Sequence, residues 1–334
     1  MSQSFRDFEV ICIDDGSTDS SPAVLRHFAQ TDGRFRIVRQ KNQGAGAARN
    51  RGLKYTTGKY ILFLDADDQF DPQMFECLKN RAEETGADIC LCSGDYYDVK
   101  KKEHRGPAFL RERFLPNNDP FCWRDCADYF YQIANPSAWT KLYRKDFLTR
   151  YALRFQRLHL FNDVFFCYAS MARAQKITAV RRKLMFYRTG MDTNLQASNH
   201  LFPLDVCKAF AALRRTLRRM GCLSALEQSL ANKTIEMIFF NLDKLRQDPA
   251  AEAVATAALC RRYFKSLGIT GRAESYFYKK KYFDRYSEMM DRFRKNRIST
   301  HFKRSARKAA AGNKPLRLLL TAYRKGRRLI HSLL

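Results

Sequence analysis

The sequence lacks long apolar runs. A membrane-spanning helix requires about 18 consecutive apolar residues without charge, and the sequence contains no such stretch. The first residues, MSQSFRDFEV, also lack the apolar core of a secretory signal. We therefore expect neither a spanning helix nor export, and we predict a cytoplasmic protein. No internal repeat of about 20 to 50 residues is found, which excludes a solenoid or a propeller.

The sequence also lacks a close-paired cysteine framework and histidines at metal-ligand spacing. Its ten cysteines show no disulfide framework, and in a chain of 334 residues they are best interpreted as buried thiols. Cys122 and Cys126 have no His or Cys partner at zinc spacing, and the six histidines have no metal-ligand spacing. We predict no structural zinc site.

Negative charge is scarce relative to positive charge. The chain has 61 Lys and Arg against 34 Asp and Glu, a formal net charge of +27. Such an excess attracts phosphates, nucleic acid or anionic lipid headgroups. Hydrophobic residues make up 45% and charged residues 28%, which is ordinary for a folded globular protein and excludes wholesale disorder.

Short β-rich runs alternate with helical stretches in the first part of the chain. Phe8 to Ile13, Arg36 to Arg39 and Tyr60 to Leu64 are predicted strands, and 23–30 and 44–57 are predicted helices. The order β-α-β-α-β favours an α/β fold with a Rossmann-like, mainly parallel sheet flanked by helices.

Later segments give fewer strand signals. Helical patterns predict helices over 123–133, 145–151 and 163–174, and a strand over 184–187. After about residue 200 the patterns are almost entirely helical. We predict two domains, residues 1–200 as the α/β domain and residues 201–334 as a basic α-helical C-terminal region.

Two groups of carboxylates follow predicted strands: Asp14 and Asp15 with Asp19, and Asp65 with Asp67 and Asp68. Acids at the carboxyl ends of strands face the ligand crevice of an open sheet. Carboxylates two residues apart suit a hard divalent cation, which prefers oxygen ligands and keeps substrate phosphates in its other positions. The alternative is that these residues only form turns and helix caps. Two such groups at neighbouring strand ends favour a binding site.

Residues 8–72 resemble the family 2 glycosyltransferases, which have the nucleotide-sugar-binding GT-A fold. The resemblance rests on FEVICIDDGSTDSS, on the helix Ala48-Arg49-Asn50-x-Gly52 and on YILFLDADDQFDP, in the family's order and spacing. It continues less tightly through 137–143, 162–166 and 186–188, and covers about residues 1 to 195.

The resemblance implies roles for the acidic residues. Asp14 or Asp15 would contact the nucleoside, Asp65 the ribose or a metal-bound water, and Asp67 the metal, Mn²⁺ or Mg²⁺. Asp163 matches the catalytic aspartate of the family; the alternative is that it only caps the helix that Asn162 and Asp163 open. The residue before it is Asn162, where the family more often has Glu.

Four further residues are candidates with alternatives left open. Arg49 would neutralise the diphosphate of the nucleotide sugar, or else it is a solvated helix residue. Trp139 stacks on an acceptor sugar or fills the core, and the core is favoured. Lys141 and Arg188 meet the diphosphate or form surface ion pairs.

Family 2 enzymes usually begin with an apolar strand and a helix before the segment aligned with residues 5–13. We expect that segment to be missing here, either because the recorded start is too late or because the chain is truncated and inactive. The missing strand would lie in the centre of the sheet and line the base pocket. Its loss would leave backbone hydrogen-bonding groups and apolar surface uncovered.

The resemblance implies transfer of a hexose from a nucleotide sugar, most simply UDP-linked, to a glycan or lipid-linked acceptor in surface polysaccharide biosynthesis. A single base without a second nucleophilic carboxylate favours inversion at the anomeric carbon.

Residues 300–334 hold ten basic residues and no acid, and from 315 onward they predict an amphipathic helix. Because the family often uses lipid-linked acceptors, we expect this helix to bind an anionic membrane surface peripherally on its cytoplasmic face. The alternative is a solvated tail.

Two other classes of function stay open. An inactive glycosyltransferase-like scaffold would keep the fold without turnover. Nucleic-acid binding is suggested by the net charge and by the aromatic and basic segment 276–283, but zinc-finger spacing and an RNP-like strand are absent from the sequence. The paired acids would repel phosphate without a cation, and we expect no nucleic-acid partner.

Overall fold

The computed structural model describes residues 3–106, 109–190 and 200–295. The described residues of Met1–Asp192, together with Arg215–Ser229, form one compact unit, and those of Thr193–Arg214 with Leu230–Leu334 form a second. The basic segment 300–334, predicted to be an amphipathic helix, lies outside the described residues.

The elements of the described ranges are as follows. The strands are β1 (Val10–Asp14), β2 (Phe35–Arg39), β3 (Tyr60–Leu62), β4 (Gln69–Phe70), β5 (Ile89–Asp98), β6 (Glu103–Arg105), β7 (Lys141–Arg144) and β8 (Ile177–Thr189). The helices are α1 (Ser21–Thr31), α2 (Ala45–Gly52), α3 (Met74–Thr85), α4 (Lys145–Arg150), α5 (Asn162–Arg173), α6 (Asp205–Arg219), α7 (Leu223–Leu245), α8 (Pro249–Ala258), α9 (Phe264–Ser266) and α10 (Lys280–Lys295).

The predicted β-α-β order at the start of the chain is present. β1 and β2 pair in parallel, from Val10 opposite Phe35 to Asp14 opposite Arg39, and α1 connects them. Pro22 lies in the first turn of α1, where its missing N–H costs nothing. The acidic segment from Asp14 onward therefore lies at the carboxyl end of β1, as predicted.

The larger sheet corrects one expectation. In the part of the chain that the structure describes, its strand order is β3-β7-β5-β8-β4, with β6 on β5. Only β5 and β8 pair in parallel there, and the other pairings are antiparallel. The α/β class is confirmed, but the sheet is mixed and not mainly parallel. The reason is that β7, which comes from a distant part of the sequence, lies between β3 and β5.

The core of the first unit lies between α3 and the mixed sheet. Met74, Leu78 and Ala82 of α3 are buried against Cys90 and Cys92 of β5. Burial of a Met or Leu side chain contributes about 1.5–3 kcal/mol. Gly86 ends α3 in the left-handed conformation, at φ +63°, as a helix C-cap glycine does. All ten cysteines are free, and six of them are buried, which confirms the thiol interpretation.

The segment predicted as a helix over 123–133 forms two 3₁₀ turns instead, Trp123–Asp125 and Ala127–Gln132. Cys126 lies between them at φ −154° and ψ 35°, outside the helical region. The carboxylate of Asp125 accepts a hydrogen bond from the Cys122 N–H at 2.7 Å, which caps the start of the first turn. The non-helical backbone of Cys126 separates the two turns, so a continuous helix does not form.

The second unit is helical where it is described. Asn232 of α7 holds the segment before α10, donating to Tyr276 O at 2.9 Å and accepting from Tyr278 N at 2.7 Å. Phe264 packs edge-on against Tyr286 at 5.1 Å between ring centroids. Within the described ranges, we find no helix with the length and apolarity needed to span a membrane.

Candidate active site

The acidic turn after β1 is held together by its own side chains. Asp14 is buried and accepts a hydrogen bond from Ser17 N at 2.8 Å, and its other oxygen lies 3.2 Å from Arg39 Nε. The hydrogen bonds from Ser17 lower the pKa of Asp14, so this carboxylate is ionised at neutral pH. Asp14 therefore fixes the shape of the turn.

Asp15 fixes the loop that leads into α2. Its carboxylate accepts hydrogen bonds from Gln40 Nε2 at 2.7 Å, Gln43 N at 2.9 Å and Gly44 N at 2.7 Å. Gly44 has φ +87°, a conformation that favours glycine, and it precedes the first residue of α2. Asp15 thus determines where α2 begins and how Arg49 is presented.

Arg49 lies at the centre of the site. Its Nη2 donates to Asp65 Oδ1 at 2.6 Å and its Nη1 donates to Asn162 Oδ1 at 2.9 Å, while its side chain is only 15% exposed. The alternative of a solvated helix residue is therefore wrong. One guanidinium joins α2, the loop after β3 and the first turn of α5, which are distant in sequence.

Aromatic rings pack against the cluster formed by Arg49, Asp65 and Asn162. Phe63, two residues before Asp65, packs against Phe155 at 4.8 Å and Phe166 at 5.4 Å between ring centroids. Arg49 lies 5.4 Å above the Phe155 ring, and Asn50 binds the backbone of Phe155 through two hydrogen bonds of 2.8 Å. Packed rings and buried hydrogen bonds hold the polar groups in one geometry.

Asp163 lies in the first turn of α5, next to Asn162. Burial of its carboxyl group raises its pKa to about 6, and the positive charges of Arg49 and Lys141 limit that rise. An acid with this pKa is mostly ionised at neutral pH and is still basic enough to take a proton. Such values suit a general base.

The loop after β3 carries Asp67 and Asp68. Asp67 is exposed, and its carbonyl oxygen accepts a hydrogen bond from Arg188 Nε. Arg188 N donates to Asp68 Oδ1 at 3.2 Å, while the buried Asp68 Oδ2 has no partner among the described residues. Burial raises the pKa of Asp68 to about 7. Pairing of β4 with β8 brings Arg188 to this loop.

The residues fit a divalent cation that shares its coordination with a ligand. In the ranges that the structure describes, no three His, Cys, Asp or Glu side chains come together as a complete metal site. The exposed carboxylate of Asp67 and the orphaned oxygen of Asp68 are nevertheless oxygen ligands of the kind Mg²⁺ and Mn²⁺ take. Such ions often use only one or two protein carboxylates, together with substrate phosphates and water.

Two of the tentative candidates are structural. Trp139 is 7% exposed and lies in the core cluster, stacked on Tyr187 and edge-on to Phe109. This agrees with the favoured core interpretation. Lys141 is fully buried, and its ammonium donates to Asn135 O at 2.7 Å and Ser137 O at 2.9 Å. A surface ion pair is therefore wrong for Lys141, because backbone carbonyls satisfy its charge.

The structure joins Arg49, Asp65 and Asp163 in one cluster, and it places Arg188 of β8 against Asp67 in the adjoining loop. Sequence reasoning missed the role of Asn162, which receives a hydrogen bond from Arg49. It also missed Gly46, where an added Cβ would overlap the carbonyl oxygen of Gln156 and lie 3.2 Å from Asn162 Cβ. The small residues of AGAARN could have indicated that α2 packs closely on another segment.

Gly46→Ala is expected to lower the free energy of unfolding by about 1–3 kcal/mol, because the new methyl group must displace backbone. Gly33→Ala is the matched control, since a Cβ there meets nothing within 4 Å. Chemical denaturation of both variants measures the difference. Equal stability of the two would contradict the close packing of α2 on residues 156–162.

The fold and this site together define a GT-A-like α/β domain. Among solved structures, S. aureus TarS 1-349 in complex with UDP-GlcNAc is similar, with a TM-score of 0.64 and 18% identity over 89% of this chain and 86% of that chain. At that identity the similarity shows the fold alone. Residues 1–136 match the sequence profile of glycosyl transferase family 2. This match over the first part of the chain confirms the resemblance inferred from the motifs.

Curated relatives agree with the family. The putative glycosyltransferase EpsH of Bacillus subtilis (strain 168) is 28% identical over 203 residues, 58% of this chain and 56% of its own length. The cholesterol galactosyltransferase of Borreliella burgdorferi is 28% identical over 186 residues, 54% of this chain and 51% of its own length. The chain thus spans about half the length of these relatives.

Proposed function

We propose that this protein transfers a hexose from a nucleotide sugar to an acceptor hydroxyl. The observation that carries the proposal is the cluster in which Arg49 binds both Asp65 and Asn162, with the half-buried Asp163, whose carboxyl pKa is raised, beside it. Glycosyl transfer from a nucleotide sugar requires a positive charge to stabilise the leaving diphosphate and a base to take the acceptor proton. Arg49 supplies the first and Asp163 the second, and both lie next to an acidic loop.

In this mechanism Asp163 takes the proton of the acceptor hydroxyl as that oxygen attacks the anomeric carbon. The bond from the anomeric carbon to the diphosphate oxygen breaks, and the nucleoside diphosphate leaves. Arg49 stabilises the negative charge that develops on the leaving group. One base without a nucleophilic carboxylate leads to inversion in a single displacement.

The donor would lie along the acidic loops. We assign Asp14 or Asp15 to the nucleoside side and Asp65 to the ribose or a metal-bound water. Asp67 and Asp65, with the unpartnered oxygen of Asp68, would hold a divalent cation. That cation, when bound, would neutralise diphosphate charge. Arg188, which binds the Asp67 carbonyl, would hold this loop in place. TarS is described in complex with UDP-GlcNAc, which supports a UDP-linked donor.

The acceptor would be a glycan or a lipid-linked saccharide in surface polysaccharide biosynthesis. One relative is named a cholesterol galactosyltransferase, which supports an acceptor at a membrane surface. The positive charge of the chain favours peripheral binding to the cytoplasmic face of an anionic membrane.

The donor site is tested by calorimetric titration with UDP in the presence of Mn²⁺. We expect wild-type protein to bind UDP, and Asp67→Ala or EDTA to weaken binding about tenfold, equivalent to about 1.4 kcal/mol. Asp7→Ala is the matched control because Asp7 is an exposed aspartate of the same unit. Absence of UDP binding under all conditions would overturn the proposal and favour an inactive scaffold.

Membrane binding is tested by liposome flotation of the full chain and of a chain ending at residue 299. Each basic residue near an anionic surface contributes about 1 kcal/mol, so ten set a ceiling of about 10 kcal/mol, reduced by salt. We expect flotation with anionic vesicles to need residues 300–334 and to weaken at high salt. Equal flotation of the two chains would refute this role.

A further inference from the structure

One face of the mixed sheet beside the Asp67 loop is lined by aromatic side chains that do not belong to the core. Tyr96 of β5 and Tyr187 of β8 pack against the core cluster that contains Trp139. Because successive side chains of a strand point to opposite faces, Tyr97 and Phe186 lie on the other face. Both are only half-buried there.

His104 of β6 completes this group. It pairs with Tyr97 across the strands, and its ring lies 5.1 Å from the Tyr97 ring and 4.9 Å from the Phe186 ring. Its side chain is 50% exposed. We call Tyr97, His104 and Phe186 the aromatic platform.

A buried carboxylate orients the His104 ring. Asp95 is 3% exposed, and its two oxygens lie 3.0 Å from His104 Nδ1 and 2.9 Å from Lys183 Nζ. A carboxylate paired with an ammonium accepts hydrogen bonds, so His104 donates through Nδ1 and its Nε2 is left for another partner. The ring is therefore held in one orientation at the surface.

The platform is continuous with the proposed donor site. On β8, Arg188 lies opposite Tyr97, and its guanidinium binds the carbonyl of Asp67. On β4, Gln69 lies opposite Phe186, is exposed, and follows Asp68 directly in sequence. A ligand on the platform would thus adjoin the loop that we assign to the donor diphosphate.

From this arrangement we propose that the aromatic platform binds a pyranose ring of the acceptor saccharide; this inference rests on the proposed function. A pyranose has an apolar face of C–H groups and a rim of hydroxyls. The half-exposed rings of the aromatic platform can pack against this apolar face. His104 Nε2, Gln69 and Arg188 supply hydrogen-bonding groups for the hydroxyls of the rim. Binding sites typically combine apolar walls with a few placed polar groups in this way.

The test is binding of fluorescently labelled protein, with UDP and Mn²⁺ present, to a broad glycan array. We expect wild-type protein to bind a subset of saccharides, and His104→Ala and Tyr97→Ala to reduce that signal at least about tenfold, through loss of contacts worth about 1.4 kcal/mol. Tyr129→Ala is the matched control, since Tyr129 is a 44% exposed aromatic residue of the same unit. His104 is exposed, so its loss leaves the fold intact.

Titration with UDP separates this inference from the proposed function. We expect His104→Ala to bind UDP as tightly as wild-type protein does. If wild-type protein binds UDP but no glycan, or if the platform variants bind glycans as well as wild-type protein, the platform assignment is refuted. If UDP does not bind at all, the proposed function fails as a whole.

Discussion

Asp163→Asn is expected to lower kcat for sugar transfer by about 10²- to 10⁴-fold, because an amide cannot take the proton of the acceptor hydroxyl. The substitution keeps the size of the side chain. UDP affinity should stay within about twofold, since Asp163 is assigned to the acceptor side of the reaction and not to the nucleotide. Transfer from the donor that binds best, followed as released UDP, measures kcat.

Asp146→Asn provides the control for this substitution. Asp146 is an exposed aspartate in the first turn of α4, as Asp163 is in the first turn of α5. Any effect of removing a carboxylate from a helix N-terminus is therefore present in both variants. Equal kcat in Asp163→Asn and wild-type protein would exclude Asp163 as the base.

The pH dependence follows from the same residue. A general base works in its deprotonated form, and the pKa of Asp163 is raised to about 6. Activity should therefore be low below pH 6 and rise to a plateau above it. In Asp163→Asn the part of the low-pH limb near pH 6 should disappear, because the residual rate no longer depends on this proton.

The sequence was informative wherever a strand ends in acidic residues. The short apolar runs before Asp14 and Asp65 are strands in the structure, and the helix that carries Arg49 lies between them. Local patterns suffice for this, because a buried strand and the loop after it leave their signals within a few residues. The α/β class followed from the same alternation.

Pairing between distant segments could not be predicted in the same way. The β-α-β order favoured a parallel sheet, but β7 inserts between β3 and β5 as an antiparallel neighbour. The burial of Lys141 was equally hidden, because its ammonium is satisfied by the carbonyls of Asn135 and Ser137 and not by an acid. Neither feature leaves a periodic signal in the sequence.

Arg49→Gln is the second substitution with a large expected effect. Loss of the guanidinium removes the ion pair with Asp65 at 2.6 Å and the hydrogen bond to Asn162 at 2.9 Å. If Arg49 stabilises the charge of the leaving diphosphate, kcat should fall by about 10²- to 10³-fold, as it does when a fixed donor is removed from other active sites. The free energy of unfolding should fall by only about 1–2 kcal/mol, because the carboxylate of Asp65 is partly exposed and can be hydrated once the ion pair is lost.

The pH profile of Arg49→Gln distinguishes an electrostatic role from a purely structural one. The positive charge of Arg49 lowers the pKa of Asp163 relative to what burial alone would give. Without that charge, the proton is held more tightly, so the low-pH limb of the residual activity should move to higher pH. Arg26→Gln, at an exposed position of α1 in the same unit, should leave both kcat and the limb unchanged. If kcat falls but the low-pH limb of the activity profile does not move, Arg49 does not set the pKa of Asp163. Its role would then be only to position the loops.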